Sequence, residues 1–203
     1  MRRLAAAVAL ALHAACAPPP PPAPPPVPAP PPAPPSPAPA PPCEAVLWIE
    51  VRKSARQLEA HCEGGAVVAM TVALGREPGP KRRAGDHRVP EGAYHVAGPA
   101  RPSRFHRFVP IDYPSTADAE LALREGRLSR ADHARIVAAH ARDALPPQDT
   151  PLGGQLGLHG EGERWRGDSA DLDWTYGCLA LRDADLDFLA ERAPRGTPVR
   201  ILP

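Results

Sequence analysis

The chain has 203 residues, of which 24 are basic and 23 acidic, and its formal net charge is +1. This balance excludes binding to nucleic acid through bulk positive charge, so we expect no nucleic-acid partner. Aromatic residues make up only 4% of the chain, so a folded core has to rest on Val, Leu, Ile and Ala.

The first 16 residues are typical of a bacterial export signal. Two arginines precede an apolar run at residues 4–12, which is too short for a permanent membrane helix of about 20 apolar residues. Residues 14–16 (Ala-Ala-Cys) resemble the end of a lipobox, in which the cysteine is lipidated, although His13 replaces the usual aliphatic residue. We therefore predict a signal peptide over residues 1–16 and a lipid anchor to a membrane at Cys16. Ordinary secretion is the alternative.

Residues 17–42 consist of proline and alanine with one valine and one serine. Such a segment cannot build a packed core and favours polyproline II, so it would span on the order of 80 Å at about 3.1 Å per residue. We interpret it as a linker that holds the following domain away from a membrane. Ala17 is not the aspartate associated with inner-membrane retention, so the expected location is the periplasm, at the outer membrane.

Residues 43–203 have the length of one domain and are predicted to be mostly β. Apolar runs bounded by turn residues predict strands at residues 45–51, 57–60, 66–74, 89–96, within 103–113, and at 155–159, 179–181 and 199–202. Helices are predicted at residues 117–125, 129–144 and 184–192, with Ser129 and Asp132 as an N-cap pair and Asp183 capping the third helix. Because no βαβ alternation occurs, we expect a β-sandwich-like domain with a few helices at its edge, the first two near the rim of a cleft.

The four cysteines have different expected fates. The first two predicted strands form a hairpin that brings Cys43 near Cys62, and an oxidising compartment favours a disulfide between them, contributing about 3 kcal/mol. Two free thiols are the alternative. With Cys16 acylated, Cys178 is then the remaining thiol and a candidate reactive group.

Two short motifs place a histidine and a cysteine next to glycines. Residues 158–160 read Leu-His-Gly, and residues 173–181 read Asp-Trp-Thr-Tyr-Gly-Cys-Leu-Ala-Leu. A thiol becomes a useful nucleophile when a base takes its proton and backbone N–H groups stabilise the oxyanion. The core Thr175-x-Gly177-Cys178 resembles the Ser/Thr-x-Gly-Cys signature of the YkuD-type L,D-transpeptidases, cysteine enzymes that cross-link bacterial peptidoglycan. The resemblance covers most of residues 45–202.

The resemblance implies a role for each residue of the two motifs. Cys178 corresponds to the nucleophile and His159 to the base, while the carbonyl of Gly160 orients the imidazole in place of a triad aspartate. Gly177 lets the chain turn tightly at the nucleophile. The N–H groups around Tyr176, Gly177 and Cys178 are the candidates for the oxyanion hole.

The reaction implied by the resemblance is a two-step acyl transfer without a cofactor. The thiolate attacks the carbonyl that follows an L-centre in a peptidoglycan stem tetrapeptide and releases D-alanine. An amine of a second stem, or of a protein to be attached to the wall, then takes the acyl group. Water in place of the amine would make the enzyme an L,D-carboxypeptidase, and the sequence leaves this choice open.

Two positions depart from the family pattern and put the substrate contacts in doubt. Tyr176 stands where many members have histidine, and Ala180 stands where many have arginine or asparagine. The candidate substrate contacts are the following residues: Thr175, Tyr176, Arg182 and Lys81. Arg182 is the candidate to replace the missing arginine, whereas Lys81 lies in a basic loop at residues 76–88 whose alternative interpretation is a solvated surface.

Two other classes of function remain open. A catalytically silent lipoprotein could keep the fold in order to grip the wall. A metal-dependent stem-peptide hydrolase could use several of the eight histidines, but their spacing matches no zinc signature, so we expect no metal site.

Overall fold

The computed structural model describes residues 43–162 and 173–203. Within them the elements follow in this order: β1 Val46–Arg52, β2 Gln57–Cys62, β3 Val67–Thr71, β4 Leu74–Gly75, β5 Gly92–His95, β6 Arg101–Ser103, β7 His106–Pro110, α1 Thr116–Arg124, α2 Arg130–His140, β8 Gly157–His159, β9 Asp173–Thr175, β10 Leu179–Ala180, α3 Asp183–Arg192 and β11 Pro198–Leu202. This part of the chain is mostly β with a few helices, which confirms the predicted fold class. The predicted signal peptide, linker and lipidation site at Cys16 lie outside the described residues.

The first sheet has the strand order β3-β2-β1-β11-β5. β1 runs parallel to β11, and the other neighbours are antiparallel. At the open end of the β1–β2 hairpin, a disulfide joins Cys43 to Cys62, with Cα atoms 5.2 Å apart. Leu58 of this sheet and Leu158 of the second sheet belong to one cluster of buried apolar residues, so the two sheets share a core.

The predicted strand at residues 66–74 is wrong as a single element. β3 ends at Thr71, and after Val72 the chain leaves the first sheet, where Ala73 forms a bridge with Ala180 beside β10. β4 then pairs in parallel with β9 in a two-stranded sheet. The run at residues 66–74 is almost entirely apolar, so the sequence alone does not mark the point at which the chain passes from one sheet to the next.

The second sheet has the order β10-β8-β7-β6 and carries the histidine of the first motif. The strand predicted within residues 103–113 is β7, and the sequence prediction missed β6, which forms an antiparallel hairpin with β7 that turns at residues 104–105. Adjacent registers align four residues in a row across the sheet: Arg101, Phe108, His159 and Ala180. Residues directly opposite one another project from the same face of a sheet.

The first two helices begin at short polar caps. Ser115 and Asp118 form a complete capping box before α1, and the Ser129 hydroxyl accepts the Asp132 N–H before α2, as the sequence predicts. α2 ends at His140, earlier than predicted, because the chain turns at Asp143, where φ is 50°. None of the helices in the described residues is both long and apolar enough to cross a bilayer.

The third helix has no side-chain cap, so the predicted capping role of Asp183 is wrong. Arg182 is the N-cap residue and Asp183 is the first helical residue. The Asp183 carboxylate instead accepts hydrogen bonds from Glu161 and Gly162, which follow β8. A residue that sequence analysis assigned to a helix end therefore holds a loop beside the second sheet.

Candidate active site

His159 is the last residue of β8 and is 5% exposed. Its Nδ1 lies 2.6 Å from the carbonyl oxygen of Gly160. Because a carbonyl oxygen can only accept, Nδ1 must carry the proton, and Nε2 is left with a lone pair. The contact therefore selects the tautomer in which the outer nitrogen can act as a base.

Two aromatic rings enclose the imidazole. Phe105 stacks on His159 with ring centroids 4.8 Å apart, and Trp174 contacts it edge-on at 5.4 Å. Burial lowers the pKa of His159, the hydrogen bond with Gly160 acts in the opposite direction, and the positive charge of Arg104 lowers it further. The imidazole is therefore neutral near pH 7.

The carbonyl of Gly160 is held by contacts that leave no room for a side chain. A Cβ at this position would lie 2.3 Å from Asp183 Oδ1 and 2.8 Å from the carbonyl oxygen of Phe105. The same Asp183 oxygen accepts the N–H groups of Glu161 at 3.0 Å and Gly162 at 3.1 Å. These bonds fix the loop that orients the imidazole.

Cys178 directly precedes β10 and is a half-buried free thiol. Leu179 and Ala180 pair in parallel with Leu158 and His159, so Cys178 lies beside Gly157, two positions before His159. Because side chains alternate along a strand, Cys178 and His159 project from the same face of neighbouring strands. The registers of these strands therefore bring the two side chains together.

The environment of the sulfur favours the protonated thiol. Burial raises the pKa of Cys178 to about 11, and a hydrogen bond from the Gly157 N–H acts in the opposite direction. The thiol contacts the carbonyl oxygen of Gln155, at 3.8 Å. With the neutral imidazole, the resting pair is a thiol and an uncharged base rather than an ion pair.

A single hydroxyl holds the turn that presents the thiol. Thr175 Oγ1 donates to the Cys178 carbonyl at 2.7 Å and accepts the Gly177 N–H at 3.2 Å. Gly177 has φ of 119°, and a Cβ there would lie 2.7 Å from the carbonyl oxygen of Arg88. Glycine is therefore required here both by the backbone conformation and by the close approach of another chain segment.

A cavity of about 760 Å³ opens over the histidine and the cysteine. Its lining residues are the following: Arg76, Arg101, Ser103, Arg104, Phe105, Phe108, Gln155, His159, Trp174, Thr175, Tyr176 and Cys178. Of the candidate residues from the sequence, the cavity brings together Cys178, His159, Thr175 and Tyr176. Gly160 and Gly177 support it from behind. None of the described residues of α1 and α2 is in this lining, so the placement of these helices near the rim of the cleft stays a prediction.

Two predicted substrate contacts lie outside the cavity lining. Arg182 is exposed at the start of α3. The side chain of Lys81 is 3% exposed and pairs with Asp86 at 2.9 Å, so the interpretation of its loop as a solvated surface is wrong at this residue. A buried lysine paired with a carboxylate stabilises the loop, and Lys81 does not line this cavity, although its positive charge acts to lower the pKa of Cys178.

Three arginines that no sequence motif indicated line the cavity. Each guanidinium lies over an aromatic ring, in the pairs Arg76–Tyr176 at 4.9 Å, Arg101–Phe108 at 4.9 Å and Arg104–Phe105 at 4.7 Å. The adjacency of Arg104 and Phe105 is a weak sequence signal. The other two pairs depend on strand register and on a contact between distant segments, which a local pattern does not show.

The described residues contain no group of three or more His, Cys, Asp or Glu side chains placed to hold a metal ion.

A family model described as the YkuD L,D-transpeptidase catalytic domain matches residues 47–201. No curated protein is found to match the chain.

Several solved structures are similar to the chain at low sequence identity. The helical cell shape determining protein Pgp2 from Campylobacter jejuni is 19% identical with a TM-score of 0.51, over 77% of this chain and 47% of that one. Bd1075 from Bdellovibrio bacteriovorus is 17% identical with a TM-score of 0.47, over 78% of this chain and 48% of that one. L,D-transpeptidase 1 from Mycobacterium tuberculosis is 12% identical with a TM-score of 0.40, over 78% of this chain and 62% of that one. The chain thus matches about half the length of Pgp2 and of Bd1075.

Proposed function

The chain belongs to the YkuD family of L,D-transpeptidase catalytic domains, and from this premise we propose that it is a peptidoglycan L,D-transpeptidase with Cys178 as nucleophile and His159 as base. The observation that carries the proposal is the shared face of β8 and of the turn before β10. There His159 Nδ1 donates its proton to the Gly160 carbonyl, so Nε2 is free to accept a proton. His159 and the Cys178 thiol line the same cavity.

In the first step, His159 Nε2 takes the thiol proton as the Cys178 sulfur attacks the carbonyl after the L-centre of a stem tetrapeptide. The tetrahedral oxyanion needs backbone donors. Because the Gly177 N–H donates to Thr175, the N–H groups of Tyr176 and Cys178 are the proposed donors. As the intermediate collapses, the C–N bond to D-alanine breaks and the imidazolium returns its proton to the leaving amine.

In the second step, the side-chain amine of another stem attacks the thioester. His159 takes a proton from this amine, the C–S bond breaks, and Cys178 regains a proton. The product is an L,D cross-link. Water attacking the same thioester would give a tripeptide, so the products decide between transpeptidase and L,D-carboxypeptidase activity.

The neutral resting pair fits this sequence of proton transfers. A thiol with a raised pKa is a weak nucleophile until a base is in place, so attack and deprotonation are coupled. The low pKa of His159 keeps the imidazole free to accept a proton at neutral pH.

The decisive test is turnover of a stem tetrapeptide by the Cys178→Ala variant. We expect loss of all products with stem binding retained, because alanine removes only the sulfur. A silent wall-binding lipoprotein would give no product with either protein. As an independent readout, intact mass after exposure to a carbapenem should show one covalent adduct, mapped to Cys178. An unmodified but accessible thiol would contradict the proposed nucleophile.

We also propose that a lipid on Cys16 and the linker at residues 17–42 hold the domain at residues 43–203 in the periplasm, at the outer membrane. The proline-rich composition of the linker and the lipobox-like residues before Cys16 support this. Metabolic labelling with a fatty acid should modify the wild-type protein and not the Cys16→Ser variant. A wild-type protein that is cleaved and unlabelled would instead indicate ordinary secretion.

A further inference from the structure

The cavity over Cys178 and His159 has a strongly basic rim. Of its described lining residues, three are arginines and none is acidic. Other arginines are used in ion pairs, such as Arg107 with Asp187 at 3.0 Å. No ion pair within the described residues includes Arg76, Arg101 or Arg104. These three, which we call the arginine rim, therefore carry positive charge that the described protein does not neutralise.

Strand register places the arginine rim at a defined distance from the reacting groups. Arg101 pairs with Phe108, which pairs with His159, so Arg101 is two strands from the histidine, or about 10 Å at about 4.8 Å per strand. Arg104 follows in the β6–β7 turn and stacks on Phe105, the ring that itself contacts the imidazole. The positive charge of Arg104 contributes to the low pKa of His159, so its field reaches the base.

Arg76 reaches the cavity from the opposite side. Its backbone N–H donates to the Thr175 carbonyl at 3.2 Å and its Nε to the Trp174 carbonyl at 3.3 Å. The guanidinium lies over Tyr176, the residue two positions before the nucleophile. Positive charge is thus present on both flanks of the thiol.

Stacking orients each guanidinium without consuming its N–H donors. An arginine over an aromatic face keeps its planar fork available for a carboxylate, which it can bind through two parallel hydrogen bonds. An extended peptide advances about 3.5 Å per residue. Carboxylates two or three residue lengths from the scissile carbonyl therefore fall within reach of these long side chains.

We propose that the arginine rim binds free carboxylates of the stem peptide, so that the enzyme selects stems with unmodified D-glutamate and diaminopimelate carboxylates over stems in which they are amidated. This inference rests on the proposed function, since it assigns substrate selectivity to the same site. An amide keeps the shape of the carboxyl group but loses the charge that the arginines recognise.

The test compares stem tetrapeptides with both carboxylates free and with both amidated, using the full chain. We expect kcat/KM to be at least about tenfold higher for the free stem, because hydrogen bonds between charged groups are much stronger than neutral ones. The Arg101→Gln/Arg104→Gln double variant should reduce this ratio to below about threefold, and Arg76→Gln should reduce it by a smaller factor. Each variant's rate on the amidated stem serves as its internal measure of intact chemistry.

Arg107→Gln is the matched control. Arg107 lies on β7 next to Phe108 and therefore projects from the other face of the sheet, where it pairs with Asp187. Its removal should leave the free-to-amidated ratio unchanged. Equal rates for the two stems in the wild type would overturn the proposal, and so would a high ratio that survives all the rim variants.

Binding measurements separate this inference from the proposed function. In the Cys178→Ala background, calorimetry should give a dissociation constant at least about tenfold lower for the free stem. If the wild type turns over no stem, the proposed activity fails, and this binding ratio still decides the role of the arginine rim. A ratio near one would overturn it in that case as well.

Discussion

The two loops that present the reacting groups are held in different ways. The turn before β10 is stabilised from within, by the Thr175 hydroxyl three residues before Cys178. The loop after His159 is stabilised from outside, by Asp183 on α3 and by the close approach of the β6–β7 turn at Phe105. The hydrogen bonds within the turn join residues of one short motif and can be predicted from it. The contacts of the loop after His159 form only when α3 and the β6–β7 turn have packed against it.

The sharpest way to break the local turn is Gly177→Ala. A non-glycine residue at φ of 119° is strained, and its Cβ would lie 2.7 Å from the Arg88 carbonyl. Strain of about 1–3 kcal/mol, relieved by moving the thiol, should lower kcat/KM on the order of 100-fold.

Gly196→Ala is the control for that variant. Gly196 also has a positive φ, 90°, but an added Cβ would meet no atom within 4 Å. We expect a lower melting temperature and unchanged activity. If Gly177→Ala behaves in the same way, the turn does not position the nucleophile.

The distant support is tested by Asp183→Ala against Asp183→Asn. Alanine removes the acceptor of two N–H groups and frees the loop whose carbonyl orients His159, so kcat should fall about tenfold or more with little change in KM. The melting temperature of each variant separates positioning from global stability.

Asparagine at position 183 keeps a side-chain oxygen that can accept both N–H groups. We therefore expect Asp183→Asn to stay within about threefold of the wild type. If both variants lose activity equally, the negative charge rather than the hydrogen bonds is needed. If neither does, the loop is held without Asp183.

The smallest expected effect concerns the ionisation of the two groups. Burial raises the pKa of Cys178 to about 11, so only a small fraction is thiolate at neutral pH, and the rate of alkylation by iodoacetamide should rise about tenfold per pH unit between about 7 and 10. Modification is read on the peptide that contains Cys178.

A thiolate–imidazolium pair would give the opposite pH profile. Alkylation would then be fast and nearly constant at neutral pH and would fall only at acidic pH, and loss of His159 would slow it strongly. Such a result would contradict a neutral resting pair.

Much of the candidate site could be predicted because its contacts are short in sequence. The hydroxyl at residue 175, the glycine at residue 177 and the cysteine at residue 178 act on one another within a single turn. The cap pair at Ser129 and Asp132 is equally local, and it forms as predicted. Apolar runs bounded by turn residues likewise predicted most strands to within a few residues of their observed bounds.

The sequence predictions are wrong where the structure of a segment depends on contacts with residues distant in sequence. The run at residues 66–74 looks like one strand because it is almost entirely apolar, although its two ends pair in different sheets. Asp183 is of a residue type, and at a position, typical of a helix cap. Its carboxylate instead accepts hydrogen bonds from the loop after β8. Lys81 reads as a solvated charge until Asp86 pairs with it in a buried position.

By itself, the sequence determined the fold class, the family resemblance and the two residues proposed to carry the chemistry. Only the tertiary structure decided that Arg76, Arg101 and Arg104 surround the cavity while Lys81 and Arg182 do not. The physical reason is that each arginine is positioned by an aromatic ring or a strand from elsewhere in the fold. Because the arginine rim is formed by segments that are distant in sequence, no local sequence pattern predicts it.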